Sequence, residues 1–290
     1  MGRIGRLIGL GSAALVLCSC KQSVDLSAVA ALAASAASAA PSYSAVSNDY
    51  YDSCLRYNGW VKLAVGGILT DPQGRAVGAD VCDTSIQPAV TDWQHANAAV
   101  LGYVAALGKV AGGSKPTDFG FATLTSHVPG LTAAKGTAIS TFLNDLFNQY
   151  FDTERRGDIA MSVTNADAAL GTVCDFLVAA ATEYKKELAR ERAEINTFYS
   201  INLGQPNVPV GVQRVQIVEY ELDWQTKLTA VDQKVTAANA YVDSVGALRK
   251  AHAGLLTSIK SDNLASMYAV ASTFVSDFQP KIAAIQKAFK

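Results

Sequence analysis

The chain has 290 residues, 24 basic against 25 acidic side chains and a formal charge of −1; half of it is apolar and only 17 % is charged. A near-neutral balance leaves no basic face for nucleic acid, and the length suits one large domain or two small ones. Heavy use of alanine without alternating β-branched or aromatic runs argues for closely packed helices and against a sheet protein.

Arg3 and Arg6 precede the apolar run Leu7 to Leu17, the basic and apolar regions of a secretory signal. The run is too short for the roughly 20 apolar residues that span a bilayer. It ends at Leu17-Cys18-Ser19-Cys20, which resembles the lipobox of bacterial lipoproteins: an aliphatic residue, two small ones, then cysteine. The resemblance covers residues 1 to 21 alone. It implies a diacylglycerol on the Cys20 thiol and cleavage after Ser19, so that residues 1–19 leave with Arg3 and Arg6. A third acyl chain on the new amine is implied in many Gram-negative bacteria. Cys18 is the rival acceptor, but it would set bulky Leu17 before the cut. By the family's sorting rule, Lys21 in place of aspartate after the cysteine implies the outer membrane, with the protein facing the periplasm. Two or three chains, at about 0.8 kcal/mol per buried methylene, hold where one would be marginal.

In an oxidising periplasm two of Cys54, Cys82 and Cys174 are expected to pair. The sequence leaves the pairing open. Cys54 and Cys82 are the favoured pair, since both lie near a glycine-rich segment that a staple would hold. Closing a loop of that length is worth on the order of 3 kcal/mol in the chain-entropy model. Cys174 falls on an apolar stripe and reads as a small buried hydrophobe. With no CxxC and no histidine at zinc-ligand spacing from a cysteine, no metal site is expected.

In chain order, residues 20–43 are alanine and serine closed by Pro41, and read as a tether, coil or marginal helix, lifting the domain off the lipid. A single domain then spans 44–290. Ser47-Asn48-Asp49 reads as the N-cap of its first helix, which runs to about Val65. Gly66-Gly67 and Asp71-Pro72-Gln73-Gly74 mark turns, so Ile68 to Asp83 is a loop, with a small hairpin as the alternative. A second helix is predicted from Ile86 to Val110, with Pro88 in its first turn. A third spans Thr132 to Arg155, with Ile139, Phe142, Leu143, Leu146 and Tyr150 inward.

The last 125 residues carry the clearest signal. Leu170, Cys174, Leu177, Ala181, Tyr184, Leu188, Glu191, Ile195 and Phe198 follow a 4-3 rhythm that only Glu191 interrupts. Gly204-Gln205-Pro206 ends that helix. Trp224, Leu228, Val231, Val235, Ala238, Val242 and Val245 repeat the rhythm in the next. Ser261-Asp262-Asn263 breaks it and caps a final helix in which Pro280 is expected to kink the axis. Short loops between long helices force them antiparallel. The expected fold is all-α: an elongated antiparallel multi-helix bundle with two long C-terminal helices.

The usual catalytic patterns are missing. No His-Glu-x-x-His, Gly-x-Ser-x-Gly, Walker loop or dinucleotide fingerprint follows the element it needs. Asp92 and His95 share a helical face, and Asp49 and Asp52 could pair for acid–base work, but a first helical turn favours acids through the helix dipole anyway. The run Glu183 to Glu194 pairs its charges at i,i+3 and i,i+4. It is the candidate docking face, with Lys185, Lys186, Arg190, Glu191 and Glu194. Glu191 is expected to be wet, where its helix protrudes beyond its partners. Trp60, beside the glycine-rich loop, is the candidate hot spot if exposed.

These readings describe a non-enzymatic, lipid-anchored envelope protein without a cofactor, whose bundle is an interaction or scaffolding module with an envelope protein as partner. A small-molecule or lipid-binding bundle is the alternative. An inhibitor or immunity protein, or a peptidoglycan-acting enzyme, comes third.

Overall fold

The computed structural model describes residues 22–70, 74–112, 155–203, 213–261 and 263–290. Their helices are α1 (Gln22–Ala37), α2 (Ala40–Ala64), α3 (Ala79–Ser85), α4 (Gln87–Ala111), α5 (Arg155–Leu203), α6 (Gln213–Lys260) and α7 (Leu264–Ala288). No strand occurs among the described residues, only an isolated bridge between Thr70 and Ala76 in the loop after α2. The helix expected from Thr132, the stop at Gly204–Pro206, His127, and the signal with Cys20 and Lys21 lie outside the described residues.

α5 and α6 have 49 and 48 residues, each about 70 Å long at 1.5 Å per residue. They run antiparallel. Arg192 meets Asp232 at 3.0 Å, Lys185 meets Asn239 at 3.2 Å and Arg249 meets Asp175 at 2.5 Å, in opposite order along the two helices. The apolar positions of the heptad seam from Leu170 to Ile195 are buried, as their spacing predicts, and Glu191 among them is buried too. α7 turns back along α6, its first turn capped by Asn263 Oδ1, which accepts from the Ser266 amide at 3.0 Å. Pro280 lies inside this helix. α4 runs parallel to α6: Trp93 bonds Tyr241, and Tyr103 bonds His252 one helical stretch further on.

The stretch expected to be a tether is a bundle helix instead. In α1, Ala28, Val29, Leu32, Ala33 and Ala36 are buried against α4 and α7. A Cβ placed on Gly108 of α4 would lie 2.3 Å from the Ala33 Cβ, so the two backbones meet where neither carries bulk. Gln279 of α7 donates to Ser35 Oγ at 3.0 Å. Alanine permits this approach, and that is why a segment without large apolar residues packs. The first helix of the expected domain also starts earlier. α2 begins at Ala40 with Pro41 in its first turn, and Ser47 and Asp49 are buried within it rather than capping it. The folded body therefore includes α1 and does not begin at residue 44. The stretch Leu26–Ala64 is long and apolar enough to cross a bilayer, with mean hydropathy 1.2, and half of its window is buried inside the bundle.

The bundle has two different ends. α1 and α5 begin, and α4 and α6 finish, at one of them: Ala33 lies on Gly108, and His252 faces both Tyr103 and Asp167. The end of α2, its following loop, the end of α5 and the start of α6 make the other. Here Trp60 packs on Phe198 at 5.3 Å, and Tyr199 stacks on Trp224. α6 is exposed on all sides from Gln216 to Asp223.

Candidate functional site

The polar feature that the folding brings together is an ion cluster between α2, α5 and α6. On α2, Asp49, Ser53 and Arg56 fall at i, i+4 and i+7, one helical face. On α5, Tyr184 and Glu191 are again seven apart. Asp49 Oδ1 accepts from Arg56 Nη1 at 3.0 Å and from Lys234 Nζ at 2.8 Å. Its Oδ2 accepts from Arg56 Nη2 at 2.9 Å and from Tyr184 Oη at 2.6 Å. Glu191 accepts from Arg56 Nε at 2.6 Å, from Arg56 Nη2 at 3.1 Å and from Ser53 Oγ at 2.7 Å. Two acids and two bases cancel, and both acids are buried, at 5 % and 2 % exposure. Burial alone would weaken the Arg56 cation; its hydrogen bonds to Glu191 and Asp49 reverse that and hold its pKa above the ordinary value. Burial, with the Asp49 charge and bond behind it, pushes the Tyr184 phenol well up, so it stays a donor.

This overturns the expectation for Glu191. It is not wet: Arg56 reaches it from α2, and it is buried between the helices. The rest of the candidate docking face divides. Arg190 bonds Glu187 at 2.8 Å and covers the Tyr57 ring at 4.2 Å, and Lys186 bonds Glu183 at 2.7 Å. Lys185 lies toward α6 on Asn239. Glu194 is half-buried. Trp60 is half-buried too, held between Phe198 and Tyr199. Asp49 and Asp52 do not form an acid pair, since Asp52 points to solvent. Asp92 is buried and His95 half-buried on α4.

Beside the cluster lies a cleft of about 560 Å³. Its floor is Glu191 and Ile195 of α5, one wall is Arg56, Gly59, Trp60 and Leu63 of α2, and the other is Lys227, Val231 and Lys234 of α6. Leu69 and Val77 of the following loop close one side. The Cys54–Cys82 disulfide ties α2 to α3 and so fixes both ends of that loop, as the favoured pairing expects. Gly78 enters α3 at φ +81°, and a Cβ there would strike Asn58 at 2.4 Å, so glycine is required on both counts. Cys174 is free and buried, its thiol pushed up to about 12 by desolvation.

Further along the core, Trp93 Nε1 donates to Tyr241 Oη at 2.7 Å, which donates to Asn97 at 2.6 Å; Tyr43 and Ser244 share a bond of 2.8 Å. Among the described residues no group of His, Cys, Asp and Glu side chains could hold a metal ion. Sequence reasoning missed Arg56, Ser53, Tyr184 and Lys234 as members of the cluster. The i, i+4, i+7 polar stripe on α2 was the signal available for the first two. No protein-family model, curated protein or solved structure gives a significant match to this chain.

Proposed function

We propose that the chain is a non-enzymatic, lipid-anchored protein of the outer membrane whose periplasmic bundle serves as an interaction or scaffolding module, with another envelope protein as its partner. The observation that carries this reading is the difference between the two ends of the rod. The lipobox-like Cys20 stands one residue before Lys21 and two before α1, which starts at one end of the bundle. At the other end Ile217, Val218, Tyr220 and Leu222 of α6 are exposed, Leu222 at 62 %, with Ile201 of α5 nearby at 47 %. Apolar side chains gathered on one exposed site mark a place for contact with another protein. Because α1 belongs to the bundle, an anchor on Cys20 is joined to a stiff body, and helix length sets the reach of the tip at about 70 Å. The charges of Lys185, Lys186 and Arg190 lie along the shaft between.

The test is to label growing cells with palmitate, crosslink them reversibly, and purify the protein from the outer membrane, with Cys20 intact and as Cys20→Ser. The reading expects label on the Cys20 protein alone and one dominant envelope protein attached to it. An unlabelled protein, or a labelled one that comes out without a partner, overturns it.

A further inference from the structure

We propose that the cleft between α2, its following loop and α6 binds a lipid-like anion: an acyl chain ending in a carboxylate or phosphate, its head on Lys234 and Lys227 and its chain along Trp60, Leu63 and Leu69. This stands on the cleft itself and does not depend on the anchor or on a protein partner.

The volume, about 560 Å³, is that of a small-molecule site, which runs from roughly 300 to 1,000 Å³. The two walls differ in chemistry. On the α2 and loop side the one charge, Arg56, is turned to Asp49 and Glu191; the rest of that side, Gly59, Trp60, Leu63, Leu69 and Val77, is uncharged, above a floor of Ile195 and the paired Glu191. The α6 side presents Lys227 and Lys234, seven residues apart on one face, with Val231 between them. A ligand filling the cleft meets mostly hydrocarbon on one side, beyond the paired Arg56, and ammonium groups on the other.

The lysines have donors to give. An ionised carboxylate offers about four lone-pair sites, and Asp49 has all four taken by Arg56 twice, Lys234 and Tyr184. Lys234 spends one of its three N–H groups there; its side chain is still 18 % exposed and lines the cleft. Lys227 reaches Asp223 only at 3.7 Å, with both side chains about half exposed, a pair worth little in water. Arg56 and Lys234 are balanced by Glu191 and the buried Asp49, so the charge the lining has to offer a ligand is Lys227, whose only acid, Asp223, is a loose, half-exposed partner outside the lining. An anionic head takes the place of Asp223 on Lys227 and the remaining N–H groups of Lys234. The Cys54–Cys82 bridge holds the loop wall in place beforehand, so little ordering is left for binding to offset.

The experiment is titration calorimetry on the full chain carrying Cys20→Ser, so that no acyl chain of its own competes. The probes are dodecanoate, dodecyl phosphate and dodecanol, each below its micelle concentration. Dodecanoate or dodecyl phosphate should bind at one site, and dodecanol about tenfold more weakly, the loss of one charge-assisted contact. The stronger of the two anions tells a fatty acid source from a phospholipid one. Lys234→Gln should weaken the anions about tenfold and leave dodecanol unchanged. Lys227→Gln, outside the buried cluster, should act in the same direction with the fold intact, while Lys185→Gln should change nothing. Failure of both anions to bind overturns the proposal. So does dodecanol binding as tightly as they do, or anion binding indifferent to both Lys227→Gln and Lys234→Gln. Palmitate labelling and partner capture are read separately, so neither result decides the other.

Discussion

Arg56 Nε donates to Glu191 Oε1 at 2.6 Å across 135 residues of sequence, and it does so at a core position of the α5 heptad seam, between Leu188 and Ile195. A carboxylate there is tolerable only because the guanidinium spans it and Asp49 together. Glu191→Ala would leave Arg56 half-paired and half-buried, and breaking a buried pair costs about 3–5 kcal/mol. The urea midpoint should fall accordingly. Glu183→Ala, which removes an exposed i,i+3 pair with Lys186, should move it by less than about 0.5 kcal/mol. Equal effects would mean that Glu191 is solvated.

The Cys54–Cys82 bridge closes a sequence separation of 28 residues. Changing both to serine should lower stability by about 3 kcal/mol in the chain-entropy model, and a reductant should reproduce that loss in the parent protein. Cys174 should resist a thiol reagent until the bundle unfolds, because burial keeps it a thiol.

The packing of α1 has its own probe. Gly108→Ala puts a methyl 2.3 Å from the Ala33 Cβ and should cost about 1–3 kcal/mol, the range for overpacking. Gly246→Ala, with nothing within 4 Å of its new Cβ, should be neutral or add up to about 1 kcal/mol from helix propensity. If Gly108→Ala is as harmless as Gly246→Ala, residues 22–37 are a tether after all.

His252 is buried, and desolvation lowers its pKa below the ordinary 6.5, with Asp167, 3.4 Å away, opposing in part. Folded His252 is therefore neutral where the unfolded residue has already taken a proton. Stability is fully present above 6.5 and is lost as pH falls from there through the lower folded value. Thermal midpoints taken from about pH 8 to pH 5 should show that loss. His252→Gln should flatten it, and Asp167→Asn should deepen it.

The long helices, the seam, the capping Asn263 and the disulfide are legible because each rests on local spacing or composition. Two errors have one origin. α1 reads as a tether because its exposed positions, Ser27, Ala31, Ala34 and Ala37, are as small as most of its buried ones, so burial leaves little periodic contrast in the sequence. Glu191 reads as wet because the charge that satisfies it comes from another helix. Local spacing records neither alanine packing nor partners at long range, and the cleft, built from three helices and a loop, has no continuous signal at all.

An anchored rod that works as a scaffold must touch its partner at the far end. The most direct test is a photo-reactive residue at Leu222 in the full precursor, with Cys20 intact, irradiated in living cells. A second strain carries the same residue at Lys186, on the shaft about two thirds of the way along α5. Leu222 should capture one envelope protein and Lys186 little. No capture at Leu222, or equal capture from both, would contradict an anchored rod that engages its partner at the tip.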